Sequence, residues 1–95
     1  MKHVVGFSGD VVFVKRNVED GVNHIYINGE DVGIIKEFSL VGAKLFPIVN
    51  ENNSIVIPQG YYFVWTKHKD SDDSRYSHTG LIHESQIIGK AYEIL

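Results

Sequence analysis

Short runs of β-branched and aromatic residues, each stopped by glycine, proline or asparagine, recur along this chain and point to an all-β fold. Asp10-Val11-Val12-Phe13-Val14-Lys15-Arg16 is one such run, with charges at both ends. Val22-Asn23-His24-Ile25-Tyr26-Ile27-Asn28 alternates and leads straight into Asn28-Gly29, the strongest short hairpin signal. Ser54-Ile55-Val56-Ile57 precedes Pro58-Gln59-Gly60, with proline and glycine where turn geometry wants them. Tyr61-Tyr62-Phe63-Val64-Trp65-Thr66 reads as a buried strand and Lys90-Ala91-Tyr92-Glu93-Ile94-Leu95 as a terminal one. Gly6-Phe7-Ser8-Gly9-Asp10 reads as a turn between strands, having no helix or lysine-serine pair after it for a phosphate loop. Helix is scarce: Ile34 to Leu40 fits a turn or two, and His83 to Ile87 one short turn before Gly89. The expectation is a mostly antiparallel sheet, rolled into a partly open barrel, with at most one or two helical turns.

Composition narrows the function. At 95 residues the chain supports one hydrophobic core, hence one domain over 1–95, and its 43% hydrophobic content suffices to fold it. The absence of cysteine excludes disulfide staples and thiolate zinc sites. A net charge of -3 without a basic stripe argues against a nucleic-acid partner. Every apolar run falls short of the roughly 20 residues that span a bilayer, and no signal peptide is visible. His3, His24, His68, His78 and His83 lack the spacing that puts two imidazoles on one ion, and read as scattered surface residues. No metal and no cofactor is expected.

The charge-dense segment Lys67-His68-Lys69-Asp70-Ser71-Asp72-Asp73-Ser74-Arg75 directly follows the best strand. On composition alone it is a solvated loop. Its carboxylates repel one another unless a cation organises them. Arg75 is able to fork onto one of them, and a buried pair of that kind pins the loop, while Ser71 and Ser74 hydrogen-bond backbone or a nearby amine.

Taken with the start of the chain, this segment resembles the signal peptidase I family, membrane-bound serine proteases with a serine-lysine dyad. The family block K-R-V-V-G-x-P-G-D is matched by Lys2-His3-Val4-Val5-Gly6-Phe7-Ser8-Gly9-Asp10. A later block, S-x-D-S-R followed by an aromatic, a glycine and I-I-G-K/R-A, is matched by Ser71-Asp72-Asp73-Ser74-Arg75-Tyr76, Gly80-Leu81-Ile82 and Ile87-Ile88-Gly89-Lys90-Ala91. Between them, Asn28-Gly29, Gly42-Ala43-Lys44-Leu45-Phe46-Pro47 and Ile57-Pro58-Gln59-Gly60-Tyr61-Tyr62-Phe63-Val64 look like the conjugative-transfer, pilin-maturing (TraF-like) branch. The resemblance covers nearly the whole chain in order. One departure is Trp65-Thr66-Lys67, where many members read G-D-N.

The resemblance implies roles. Lys2 is the expected general base and Ser71 the residue that hydrogen-bonds and aims its amine. Asp73 and Arg75 are the expected structural salt bridge, with Ser74 in the same network. A free lysine, with a pKa of about 10.4, is protonated at neutral pH and cannot accept a proton. Lowering that value by roughly three units takes about 4 kcal/mol of destabilisation of the cation, which desolvation by Val4, Val5 and adjacent strands is able to supply.

The family's nucleophilic serine lies in an S-x-S-M-x-P block upstream of the lysine, behind a membrane anchor, and only Met1 precedes Lys2 here. The expectation is therefore the C-terminal catalytic-core part of a serine endopeptidase anchored on the periplasmic side of the bacterial cytoplasmic membrane, inactive by itself. Its partner would be a signal peptide or prepilin bound extended along a strand edge. Exposed strand edges also make self-association of the chain an expectation. The competing class is a non-catalytic peptide-binding or scaffold module of a secretion or conjugation apparatus. A self-cleaving repressor-type serine-lysine protease is a second enzyme alternative.

Overall fold

Asn28 and Gly29 both take positive φ, 52° and 84°, the conformation that a two-residue hairpin turn requires and that these two residue types tolerate best. In the computed structural model of the protein, which describes residues 3–67, 73–77, 79–87 and 93–94, this turn joins β3 (Asn23–Ile27) to β4 (Glu30–Ile34). The remaining strands are β1 (His3–Gly6), β2 (Val11–Arg16), β5 (Ser54–Val56), β6 (Tyr61–Trp65), β7 (Ile82–His83) and β8 (Glu93–Ile94). A single helical turn, α1 (Glu84–Ile87), follows β7 where the sequence expects it.

The strands form two four-stranded sheets, ordered β7-β6-β1-β8 and β4-β3-β2-β5. Among the described residues every pairing is antiparallel except β1 with β8, and the sheets do not close into one barrel. The fold is all-β. Alternation sets the packing: Val12 and Val14 of β2, and Ile25 and Ile27 of β3, meet Phe63 and Trp65 of β6 in the core between the sheets. Val64 points the other way, joining Val4 and Ile82 in a smaller cluster edged by Tyr62 and Ile87. Val4 and Val64 are also register partners, so β1 and β6 share a buried seam.

The helical turn expected over Ile34 to Leu40 does not form. β4 runs to Ile34, the next residue Ile35 is buried in the core, and the chain then builds a hairpin in which Phe38 bridges antiparallel to Lys44. Ser39 closes its tip. Its N–H donates to the Ala43 carbonyl (2.8 Å), its carbonyl accepts from Gly42 N–H (3.0 Å), and its Oγ accepts from Ala43 N–H (3.1 Å). A serine that satisfies backbone groups locally competes with helix, and here the turn wins.

Candidate functional site

Asp73, Ser74 and Arg75 are the least exposed polar residues described, at 0%, 0% and 1%. Arg75 forks onto Asp73: Nε donates to Oδ1 and Nη2 to Oδ2, each at 2.8 Å. The Asp73 carboxylate also accepts Thr66 N–H at 2.8 Å and Arg75 N–H at 3.0 Å. Nη2 also donates to the Thr66 carbonyl (2.7 Å) and Nη1 to the Ile34 carbonyl (3.1 Å). Burying this pair is tolerable because each carboxylate oxygen accepts two hydrogen bonds and every guanidinium nitrogen donates at least one. The solvated loop suggested by composition is, over 73–75, part of the interior.

Each bond has a consequence for position. Thr66 both donates to Asp73 and accepts from Arg75, so the chain leaving β6 is clasped to the chain returning at Asp73. Ser74 extends the clasp, donating N–H to the Val64 carbonyl (3.1 Å) and accepting Val64 N–H on Oγ (2.9 Å). The bond to Ile34 ties the same node to β4, in the opposite sheet.

The guanidinium carbon lies 3.5 Å from the centroid of the Trp65 ring. The far part of that indole lies over Gly33, where an added β-carbon would overlap the ring, and Gly33 sits at φ 150°. The sequence reading missed this stack. Its signal was Trp65 itself, standing where the family pattern has glycine.

Lys2 and Ser71, the expected base and its orienting partner, lie outside the described residues. Their described neighbours converge on one stretch of β6. His3, next after Lys2, is the register partner of Trp65, and Asp73, two residues after Ser71, is bonded to Thr66.

The histidines are not all at the surface, contrary to expectation. His24 is buried, with Nε2 2.6 Å from Asp20 Oδ2 and Nδ1 2.9 Å from Asp31 Oδ2. Ionised carboxylates only accept, so a carboxylate on each ring nitrogen favours the protonated form of His24, in which both nitrogens donate. Burial opposes that charge, but Asp20 and Asp31 outweigh it and hold the pKa above the ordinary imidazole value. The Val22 N–H first, and His24 second, hold Asp20 below the ordinary carboxylate value. The two carboxylates sit on opposite ring nitrogens, so the trio clamps the β2–β3 loop to β4 and makes no metal site.

Compared with known proteins, the chain matches the signal peptidase family, peptidase S26, across residues 1–95. No curated protein and no solved structure gives a match. With the family match spanning every residue, this chain belongs to the signal peptidases of the S26 family.

Proposed function

We propose that the chain is the β-core of a signal-peptidase-type serine endopeptidase in which Lys2 is the general base and Ser71 orients its amine. S26 family members are serine peptidases, so the reaction class is amide hydrolysis through an acyl-enzyme. A serine hydroxyl attacks the scissile carbonyl while the neutral Lys2 amine takes its proton. The lysine then returns that proton to the leaving amine, and water, activated the same way, releases the acyl group. The nucleophile this mechanism calls for is the serine of the family's S-x-S-M-x-P block, which in the family pattern precedes the lysine. Substrate lies extended along a strand edge of the sheet, as a signal peptide or, for a pilin-maturing enzyme, a prepilin.

One observation carries the reading: the buried Asp73–Arg75 fork. It clasps Asp73, two residues after Ser71 in sequence, to Thr66, next to the strand position paired with His3. The reading is supported by the strand that follows Lys2 in sequence, where Val4 is buried and Val5 half-buried. Ser74 and Arg75 support the geometry without touching substrate.

The test is cleavage of a fluorogenic signal-peptide substrate by the full-length protein and by this chain. Full-length enzyme is expected to lose turnover completely in Lys2→Ala. In Ser71→Ala, kcat falls and the acid limb of its pH profile moves to higher pH, as an unaided lysine keeps its proton longer. Undiminished activity in Lys2→Ala overturns the assignment of the base, whereas turnover by the 95-residue chain alone overturns only the upstream position of the nucleophile.

A further inference from the structure

The hydroxyl of Thr66 is buried, and among the described residues no hydrogen bond reaches its Oγ1. Burying a polar group without a partner costs free energy, so such a group in a native fold calls for an explanation. The backbone that carries it is fixed on both sides. Thr66 N–H donates to Asp73 Oδ2 (2.8 Å), and its carbonyl accepts from Arg75 Nη2 (2.7 Å). A β-branched side chain is also stiff at its first torsion, so the oxygen has few directions open to it. Thr66 lies in the stretch Trp65-Thr66-Lys67, where this chain departs from the family pattern, and its hydroxyl is therefore a property of this chain.

The strands say what the hydroxyl faces. Trp65 packs into the core between the sheets, whereas Val64 joins Val4 in the smaller cluster. Alternation carries Thr66 to the side of Val64 and Val4. Across the antiparallel ladder, His3 pairs with Trp65 and Val4 with Val64. Lys2 precedes His3 in sequence as Thr66 follows Trp65. That register, continued by one step, matches position 2 to position 66, and opposite side chains on one face of a ladder are near enough to interact.

We propose that Thr66 is a positioning residue for the general base, its hydroxyl accepting one N–H of the Lys2 amine. The proposal rests on the reading of Lys2 as that base. A neutral amine has two N–H groups and one lone pair, and only the lone pair takes a proton. Ser71 engages one N–H. A second acceptor engages the other and leaves the lone pair aimed at the attacking serine. As the serine oxygen bonds to the scissile carbonyl carbon, its proton passes to Nζ of Lys2; as the C–N bond breaks, Nζ gives that proton to the leaving nitrogen. The two N–H groups held by the hydroxyls stay in place through both steps, so the amine keeps one orientation.

Thr66→Val keeps the shape of the side chain and removes the hydroxyl. Because no described group bonds to that hydroxyl, its loss is expected to leave the melting temperature of the full-length enzyme unchanged or higher. With the fluorogenic signal-peptide substrate, kcat is expected to fall about ten- to a hundred-fold, as for one lost hydrogen bond to a charged group. KM is expected to change by less than about two-fold, since substrate binding is untouched. Thr66→Ser restores a hydroxyl and is expected to recover most of kcat. Full kcat in Thr66→Val, with Lys2→Ala inactive, overturns the inference and leaves Lys2 as the base. Undiminished activity in Lys2→Ala removes the base itself and the inference with it. A loss that Thr66→Ser does not recover, or that comes with a lower melting temperature, also overturns the proposal, because Thr66 then serves the fold.

Discussion

Arg75 stacks its guanidinium on Trp65 with the cation 3.5 Å from the ring centroid, while the edge of the same group forks onto Asp73. Face and edge are thus used at once, which only a planar cation permits. Removing the arginine strands a fully buried carboxylate. Arg75→Ala is expected to cost about 3–5 kcal/mol, lowering the melting temperature by more than about 10 °C. Arg75→Lys restores the charge without the fork or the stack, and is expected to recover less than half of that loss. Thermal unfolding followed by circular dichroism reads both, and an unchanged melting curve in Arg75→Ala would return the segment to the solvated loop of the composition.

Gly33 is required by Trp65. A methyl group there meets the indole ring, so Gly33→Ala is expected to destabilise by about 1–3 kcal/mol, the usual range for overpacking. Trp65 is the sole tryptophan, so its fluorescence reports the displacement directly. An emission maximum and stability equal to those of the parent chain would mean the ring does not lie on Gly33.

Ser74→Ala removes the acceptor for the Val64 N–H in a fully buried setting. An orphaned buried donor costs about 1–3 kcal/mol. Urea unfolding is expected to show a lower midpoint with an unchanged slope, and hydrogen exchange to show faster loss of the Val64 amide. Protection of that amide as strong as in the parent chain would count against the bond.

The clamp on His24 makes stability depend on pH in two directions. The folded pKa of His24 is raised, so its contribution is complete below the ordinary value of 6.5 and lost as pH rises through the folded value. The folded pKa of Asp20 is lowered, so its contribution is present above 3.8 and lost as pH falls through the folded value. Stability from the clamp is therefore greatest between those limits. His24→Gln is expected to abolish the alkaline decline in urea midpoint; a decline of the same size in the variant refutes the role of His24.

Strands and turns were legible wherever the chain's local chemistry agreed with its tertiary setting. The alternation of β2 and β3, the Asn28-Gly29 turn and the Pro58–Gly60 turn each declare themselves within a few residues. The Asp73–Arg75 pairing was readable because its partners are close in sequence. The hairpin after Ile35 was not, because its direction is set by Ile35 entering a core built from distant strands. His24 was misjudged for a similar reason: its clamp needs Asp31, which reaches it only after β3 and β4 have paired. The stack of Gly33, Trp65 and Arg75 joins three segments that no local pattern relates.

The parallel pairing of β1 with β8 has a consequence for the order of folding. The sheet that holds β2, β3 and β4 is a meander of neighbours, whose contacts close short loops and form early. The sheet that holds β1 has no such shortcut, since His3 must find both Trp65 and Glu93. Its loop-closure entropy is met only when remote parts of the chain meet, which makes it the slow half of the molecule. A nascent chain would thus acquire the β2–β4 scaffold first and the strands flanking Lys2 and Ser71 last, so that the surface proposed for proteolysis matures only with the completed domain.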